Sequence, residues 1–271
     1  MISAQFDYAS PNSLKELHAL LGIESSSAIL SGGYCLTSLL KAGKISPSLL
    51  ISVSNINALN GISANADGSI LIGSATSLAD VADHQMIKQR YPALVKAITL
   101  IGDRQYCHQT TIGDEYSYTS FSMGLLSALL AYASTFNYTD KHSNKSLAQP
   151  LAPQQELILT TIELPAVQGR SSYQEVKDPT SYLPICGVAS YLETENDMVT
   201  LARFAVCGHG LPIKRMPTIE TVVIGKLISQ PITSSLFHPV FDKTPHTSTA
   251  SAEYLAHLVH ILTSKSLEHK L

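Results

Sequence analysis

The chain has 271 residues, of which 45% are hydrophobic and 14% charged, so it can bury a sizeable core and its length favours two domains. The formal net charge of −3 excludes the basic surface that nucleic-acid binding requires, and no apolar run approaches the ~20 residues of a membrane helix. Four scattered cysteines without a C-x-x-C pair exclude a zinc or iron–sulfur site of the usual spacing. With no secretion signal at the N-terminus, we expect a cytoplasmic protein with reduced thiols.

Helix and strand signals alternate over the first 55 residues. The segment "SPNSLKELHALLG" predicts a capped helix with a leucine stripe that ends at Gly22. A short strand is expected at 27–30, a helix at 36–41 and another strand at "SLLISVSNI". We interpret residues 1–55 as a small α/β lobe.

A second lobe is predicted over residues 56–168. An Asp-Gly pair at 67–68 predicts a hairpin turn, and a Tyr-Pro pair at 91–92 separates two predicted helices. The polar, turn-rich residues 137–150 predict a loop, and "ELILTTIELP" predicts a closing strand. Together the lobes form a predicted first domain over 1–168, with a mixed sheet and helices in the second lobe.

Residues 169–271 form the predicted second domain. The stretch from 184 to 215 indicates two antiparallel strands around a turn at 195–197, followed by a helix at "TIETVVIGK" and a loose segment at 228–249. The last helix is amphipathic, with Tyr254 and several aliphatic residues on its apolar side. The predicted fold class is α+β, with a three-stranded antiparallel sheet and helices in the C-terminal domain.

Two adjacent glycines in "LSGGYCL" separate the predicted strand at 27–30 from the helix that follows. Glycine lets the backbone approach an anion closely, and the first free N–H groups of a helix point towards such a ligand. The turn is therefore a candidate phosphate site, although a Gly-Gly pair taken alone favours a simple tight turn.

The order of these segments, over nearly the whole chain, resembles the FAD-binding medium subunit of the molybdenum hydroxylases, the xanthine dehydrogenase and carbon monoxide dehydrogenase type of flavoprotein. "SGGYCL" is similar to the family motif A-G-G-x-x-L, and "TTIGD" is similar to T-I-G-G-N. Further segments that resemble the family are "DGSILIGSATSLADV", "YPALVKAITLIG", "PQQELILTTIELP" and "CGHGLPIKRMPTIETVVIGK".

The resemblance implies that two glycine turns clamp the pyrophosphate of FAD between them. Several backbone N–H donors that converge on two phosphates can bind them without a metal. The cofactor-binding residues implied by the resemblance are Leu30, Ser31, Gly32, Gly33, Tyr34, Cys35 and Leu36 in the first turn, Thr111, Ile112, Gly113 and Glu115 in the second, and Lys177 in the C-terminal domain. We assign no catalytic and no metal-ligating residue.

The FAD motifs are degenerate in this chain. The second glycine of T-I-G-G-N is Asp114, followed by Glu115. A carboxylate near a pyrophosphate repels it by about 1 kcal/mol at 4 Å when exposed and by more when buried, and its Cβ disfavours a left-handed backbone. The family pattern Q-x-R-N is Gln-Tyr-Cys-His at 105–108, and Y-x-K-V-x-R has Glu175 and an aspartate in place of its basic residues, so that only Lys177 offers a nearby ammonium.

Two functions from different classes remain open at this point. One is an oxidoreductase subunit that binds FAD and passes electrons from an iron–sulfur partner to an acceptor such as NAD. Since the chain has no cysteine cluster and no recognisable molybdopterin segment, the molybdopterin-binding large subunit and the 2Fe-2S small subunit are expected as separate chains. The other is a flavin-free scaffold or assembly subunit on the same fold. A cleft for another small ligand, a cation held by Asp114 and Glu115, and a thiol–imidazole pair at 107–108 are weaker alternatives.

Overall fold

The computed structural model describes residues 5–21, 26–117, 123–149, 157–178, 183–208, 211–229 and 250–268. The chain folds into two compact units, and each unit is assembled from three stretches of sequence. Unit 1 contains Met1–Asp83, Asp103–Tyr118 and Ser134–Ala166, and unit 2 contains His84–Gly102, Thr119–Ala133 and Val167–Leu271. Sheets and helices occur in both units, which confirms the predicted α+β class.

The secondary-structure elements are numbered in chain order. The strands are β1 (Asp7–Ala9), β2 (Ser27–Leu30), β3 (Leu49–Ser52), β4 (Ile62–Ala64), β5 (Ile70–Gly73), β6 (Thr135–Thr139), β7 (Asn144–Leu147), β8 (Ile158–Leu164), β9 (Arg170–Lys177), β10 (Pro184–Glu195), β11 (Met198–Gly208) and β12 (Leu211–Arg215). The α-helices are α1 (Leu14–Leu21), α2 (Tyr34–Lys41), α3 (Leu78–Asp83), α4 (Gln85–Arg90), α5 (Pro92–Ile101), α6 (Arg104–Gln109), α7 (Ile112–Ser117), α8 (Met123–Ala131), α9 (Pro217–Val223) and α10 (Ala252–Glu268). A 3₁₀ turn spans Asn57–Leu59.

The small lobe of unit 1 is a parallel sheet in the order β1-β3-β2. Its central strand β3 is buried on both faces, because successive residues point to opposite sides of a strand. Ile51 packs in a cluster with Leu17 of α1, whereas Leu50 packs with Leu36 of α2. The predicted strand at 27–30 is confirmed, and the following helix begins at Tyr34, two residues earlier than predicted.

The second sheet of unit 1 has the order β4-β5-β8-β6-β7 and is antiparallel at every pairing, so the prediction of a mixed sheet is wrong. The predicted loop at 137–150 is also wrong, because β6 and β7 form a hairpin there. Alternation in β6 buries Phe136 and Tyr138, while the polar side chain of Asn137 bonds to Thr161 on β8. The predicted hairpin at 67–68 and the closing strand β8 are confirmed.

Unit 2 contains a four-stranded antiparallel sheet in the order β12-β11-β10-β9, rather than the predicted three strands. The stretch from 184 to 215 holds three strands, since the chain returns after Gly208 and pairs Ala205 with Arg215. The turn at 195–197 is confirmed, with Asn196 and Asp197 at φ of 50° and 63°. In α10 the predicted apolar face is buried, except that Tyr254 is 45% exposed.

Three helices that precede residue 134 belong to unit 2, which differs from the predicted division at 168/169. These are α4, α5 and α8. Helix α8 is apolar on every side and each of its residues from Gly124 to Ala131 is buried, so it packs as a core helix against β10 and β11. Of the predicted loose segment at 228–249, residues 230–249 lie outside the described part of the chain. No helix of the described segments has the length and apolarity needed to cross a bilayer.

Candidate functional site

The first glycine turn lies between β2 and α2, and the local geometry requires glycine at both of its positions. Gly33 is the N-cap of α2 and has a left-handed backbone with φ of 96°, which residues with a side chain rarely adopt. At Gly32 an added Cβ would lie 2.2 Å from the carbonyl oxygen of Gln109. The backbone of Gly32 therefore lies against the end of α6, at a distance that only glycine permits.

The second turn runs from Thr111 into α7 and is fixed to the loop after β5. The amides of Ile112 and Gly113 donate to the carbonyl oxygens of Thr76 and Ser74, at 3.0 Å and 2.9 Å. A Cβ on Gly113 would lie 2.6 Å from the Ser74 oxygen, so glycine is required here as well. These bonds hold the first turn of α7 in one orientation.

The two turns meet through side chains. The Thr111 hydroxyl donates to Ser31 Oγ at 2.9 Å, so residues 80 positions apart in the sequence are in contact. The amides of Gly32 and Gly33 both donate to Oδ2 of Asp114, at 2.7 Å and 3.1 Å. The amides of the first turn therefore converge on a carboxylate of the same chain, whereas the Ile112 and Gly113 amides of the second turn donate to carbonyl oxygens of the loop after β5.

Asp114 has a different role from the one its sequence position predicts. The expected backbone strain is wrong, since Asp114 lies in α7 and is not among the residues with positive φ. Its amide donates to Thr111 Oγ1 at 3.1 Å, and the residue is 4% exposed. Burial raises the pKa of Asp114, while the hydrogen bonds from Gly33 and Gly32 favour the charged form and act in the opposite direction.

A second buried carboxyl group lies beside this contact. Glu115 is fully buried, and the Tyr106 hydroxyl donates to its Oε1. Burial raises the pKa of Glu115 to about 7; the Tyr106 hydrogen bond lowers it and the charge of Asp114 raises it. Asp114 and Glu115 thus bond to different partners, which does not support the alternative of a shared cation between them.

Cys35 and Tyr34 complete the contacts around Tyr106. The Cys35 sulfur lies 3.8 Å from the Tyr106 hydroxyl, and burial raises the pKa of Cys35 to about 12. This cysteine is a protonated, packed thiol at neutral pH. The rings of Tyr34 and Tyr106 meet edge to face with centroids 4.5 Å apart. The sequence offered one signal for Tyr106, namely its place in the segment that resembles Q-x-R-N.

The other candidate residues divide between core and surface positions. Leu36 and Ile112 are fully buried, and Leu30 packs against the cluster that contains Leu36 and Leu50. These three side chains therefore belong to the core. Lys177 belongs to unit 2, where its ammonium donates to the carbonyl oxygen of Leu100 and lies 3.5 Å from Glu175. Within unit 1, the structure brings together Ser31, the glycine pair and the Thr111 turn, with Asp114 as the added member.

Comparison with known proteins gives matches over the whole chain. Residues 4–166 match the family model described as the FAD binding domain in molybdopterin dehydrogenase. The glyceraldehyde dehydrogenase medium chain of Sulfolobus acidocaldarius is 24% identical over 280 residues, which covers 99% of both chains. The carbon monoxide dehydrogenase medium chain of Hydrogenophaga pseudoflava is 34% identical over 120 residues, 44% of this chain and 41% of that one.

Solved structures match the fold with similar completeness. A carbon monoxide dehydrogenase from Hydrogenophaga pseudoflava that lacks the Mo-pyranopterin moiety of its molybdenum cofactor superposes with a TM-score of 0.86 at 22% identity, covering 99% of this chain and 98% of that one. Quinoline 2-oxidoreductase from Pseudomonas putida 86 superposes with a TM-score of 0.85 at 17% identity, covering 99% and 97%.

Proposed function

Because the chain belongs to the family of FAD-binding domains of molybdopterin dehydrogenases, we propose that it is the electron-transfer subunit of a molybdopterin-dependent hydroxylase complex. FAD is the cofactor of this family. In the proposed complex, electrons from an iron–sulfur partner pass through this subunit to an acceptor such as NAD. The flavin supplies the redox chemistry when bound, and the protein supplies binding, orientation and electrostatics.

The observation that carries the proposal is the match of residues 4–166 to the family model, and the meeting of the two glycine turns supports it. The amides of Gly32 and Gly33 share one acceptor, and the hydroxyls of Ser31 and Thr111 lie 2.9 Å apart beside them. Backbone amides at a glycine turn before a helix are the donors that bind a diphosphate without a metal. These are the groups of this chain that we assign to the pyrophosphate of FAD.

In the conformation described, this donor set does not fit a pyrophosphate. Each amide carries one hydrogen, and both hydrogens point to Asp114 Oδ2. Gly32 also lies so close to Gln109 that a Cβ on Gly32 would be 2.2 Å from the Gln109 carbonyl oxygen. A pyrophosphate at the turn therefore requires a change at Asp114.

The proposed partner subunits rest on the kind of protein that the relatives are. The curated relatives include medium chains, and this chain covers 99% of the Sulfolobus protein. We propose that a molybdopterin-binding large subunit and a 2Fe-2S small subunit are separate chains of the complex. We also propose that the complex is cytoplasmic. A composition with only 14% charged residues is typical of a protein whose surface is partly covered by partners.

The visible absorption spectrum of the purified protein tests the proposal directly. The chain is incubated with FAD, the excess is removed, and the flavin band is read against protein concentration. Since the chain has no Trp, the flavin band is a better signal than quenching of protein fluorescence. We expect a retained, stoichiometric flavin; a colourless protein, alone and with its co-purified subunits, would contradict the proposal.

One observation favours the second candidate function, a flavin-free scaffold or assembly subunit. The carboxylate of Asp114 satisfies the turn amides within the folded chain, so the turn is complete without a cofactor. Under this alternative, the large and small subunits co-purify with the chain while no flavin is retained.

A further inference from the structure

We propose that Asp114 is an internal anion that competes with the FAD pyrophosphate for the amides of Gly32 and Gly33. This inference rests on the proposed function, since the competing ligand is the family cofactor. Asp114 is the residue that stands where T-I-G-G-N has its second glycine, and its carboxylate lies on the first turn. The chain thus carries its own competitor for the site at which it would hold FAD.

The geometry makes the two ligands mutually exclusive. One carboxylate oxygen accepts from both amides, at 2.7 Å and 3.1 Å, and neither amide has a second hydrogen to offer a phosphate. A carboxylate that stayed beside a bound pyrophosphate would also repel it, the more strongly because Asp114 is only 4% exposed. FAD therefore binds this turn only when the Asp114 side chain has left the amides.

A tethered competitor has an advantage over a ligand in solution. A group held on the same chain competes at an effective concentration that a free ligand must exceed. Asp114 is held in place by more than its carboxylate, because its amide donates to Thr111 Oγ1 and α7 is fixed to the Ser74 carbonyl through Gly113. The contact is therefore part of the folded unit, and FAD binding must displace it.

Removal of the carboxylate is the test, with Asp114→Ala and Asp114→Asn as variants and Asp7→Ala as the control. Asp7 is an exposed carboxylate on β1 of the same unit, so its removal makes the same change in net charge. The first readout is the melting temperature in inorganic pyrophosphate. We expect pyrophosphate to stabilise Asp114→Ala, whose amides are free to bind it, and to leave the unsubstituted protein and Asp7→Ala unchanged.

The second readout is the dissociation constant of FAD, from the retained flavin band at a series of FAD concentrations. Hydrogen bonds to a charged group are strong enough that we expect Asp114→Ala to bind FAD about tenfold or more tightly than the unsubstituted protein. Asp114→Asn keeps the shape but loses the charge, so it should show a smaller gain. Asp114→Asn also serves if the alanine variant does not fold.

The outcomes separate this inference from the proposed function. Stabilisation of Asp114→Ala by pyrophosphate without FAD binding by any variant would support the inference and contradict the proposed function. Tight FAD binding by the unsubstituted protein, with no gain in either variant, would overturn the inference and leave the proposed function standing. Equal stabilisation of the unsubstituted protein and Asp114→Ala by pyrophosphate would also overturn the inference.

Discussion

The buried carboxyl group of Glu115 should make the stability of unit 1 fall as the pH rises from about 4.5 to about 7. Burial raises its pKa from the ordinary value of 4.5 to about 7 in the folded protein. A group that holds its proton more firmly when folded contributes most to stability below its unfolded pKa. That contribution is lost as the pH rises through the folded pKa, since the folded state must then either keep a proton that the unfolded chain releases or bury a charge.

The magnitude follows from the size of the pKa change. One pKa unit corresponds to about 1.4 kcal/mol, so the rise from 4.5 to about 7 makes about 3 kcal/mol of the unfolding free energy depend on pH. Typical domains have unfolding free energies of about 5–15 kcal/mol, so the effect is a large share of the total. Glu115 is fully buried, and solvent screening therefore takes little from this figure.

Urea unfolding near pH 4.5 and near pH 8 measures the effect, with Glu115→Gln as the matched variant. Glutamine keeps the size of the side chain and cannot ionise, so the difference in stability between the two proteins should change by about 3 kcal/mol between these pH values. Tyr106→Phe removes the hydroxyl that donates to Glu115, and it should move the transition to higher pH because that bond favours the charged form. Parallel pH profiles for the unsubstituted protein and Glu115→Gln would refute the reasoning.

Three further predictions concern the glycine turn. Gly32→Ala should lower the unfolding free energy by about 2 kcal/mol or more in urea titrations, since its Cβ would lie 2.2 Å from the Gln109 oxygen; an unchanged midpoint would contradict the close approach. In anion-free buffer, Asp114→Ala should cost about 1–3 kcal/mol in the same assay, because the buried Gly33 amide loses its acceptor, and stability equal to that of the unsubstituted protein would show that the bond contributes nothing. Cys35 should react with a thiol reagent in the folded protein far more slowly than in urea, as its pKa is about 12 and it is 4% exposed; a fast reaction at neutral pH would contradict its burial.

Local patterns predicted most of the fold. The apolar spacing of α1, the Asp-Gly hairpin between β4 and β5 and the alternation of β8 are properties of neighbouring residues, and each appears in the structure. The prediction of a loop at 137–150 failed because polar residues interrupt the alternation of the strands there. The side-chain amide of Asn137 is hydrogen-bonded within the sheet, where it donates to Thr161 and accepts from Ser146. The fourth strand of unit 2 was missed for another reason. The return of the chain after Gly208 is recognised only from the pairing of β11 with β12 in the structure.

By itself, the sequence determined that Gly32 and Gly33 form a turn at the start of a helix, because the glycine pair separates a strand pattern from a helix pattern and glycine readily adopts the left-handed backbone found at the N-cap. It also determined that the second turn carries a carboxylate at Asp114. What accepts the hydrogen bonds of the first turn was decided only by the tertiary structure, since the donor at Gly32 and the acceptor at Asp114 are 82 positions apart. Sequence reasoning assigned the carboxylate a repulsive role towards an anion, whereas folding places it as the anion itself, because the buried Gly33 amide needs an acceptor and this carboxylate lies 3.1 Å from it.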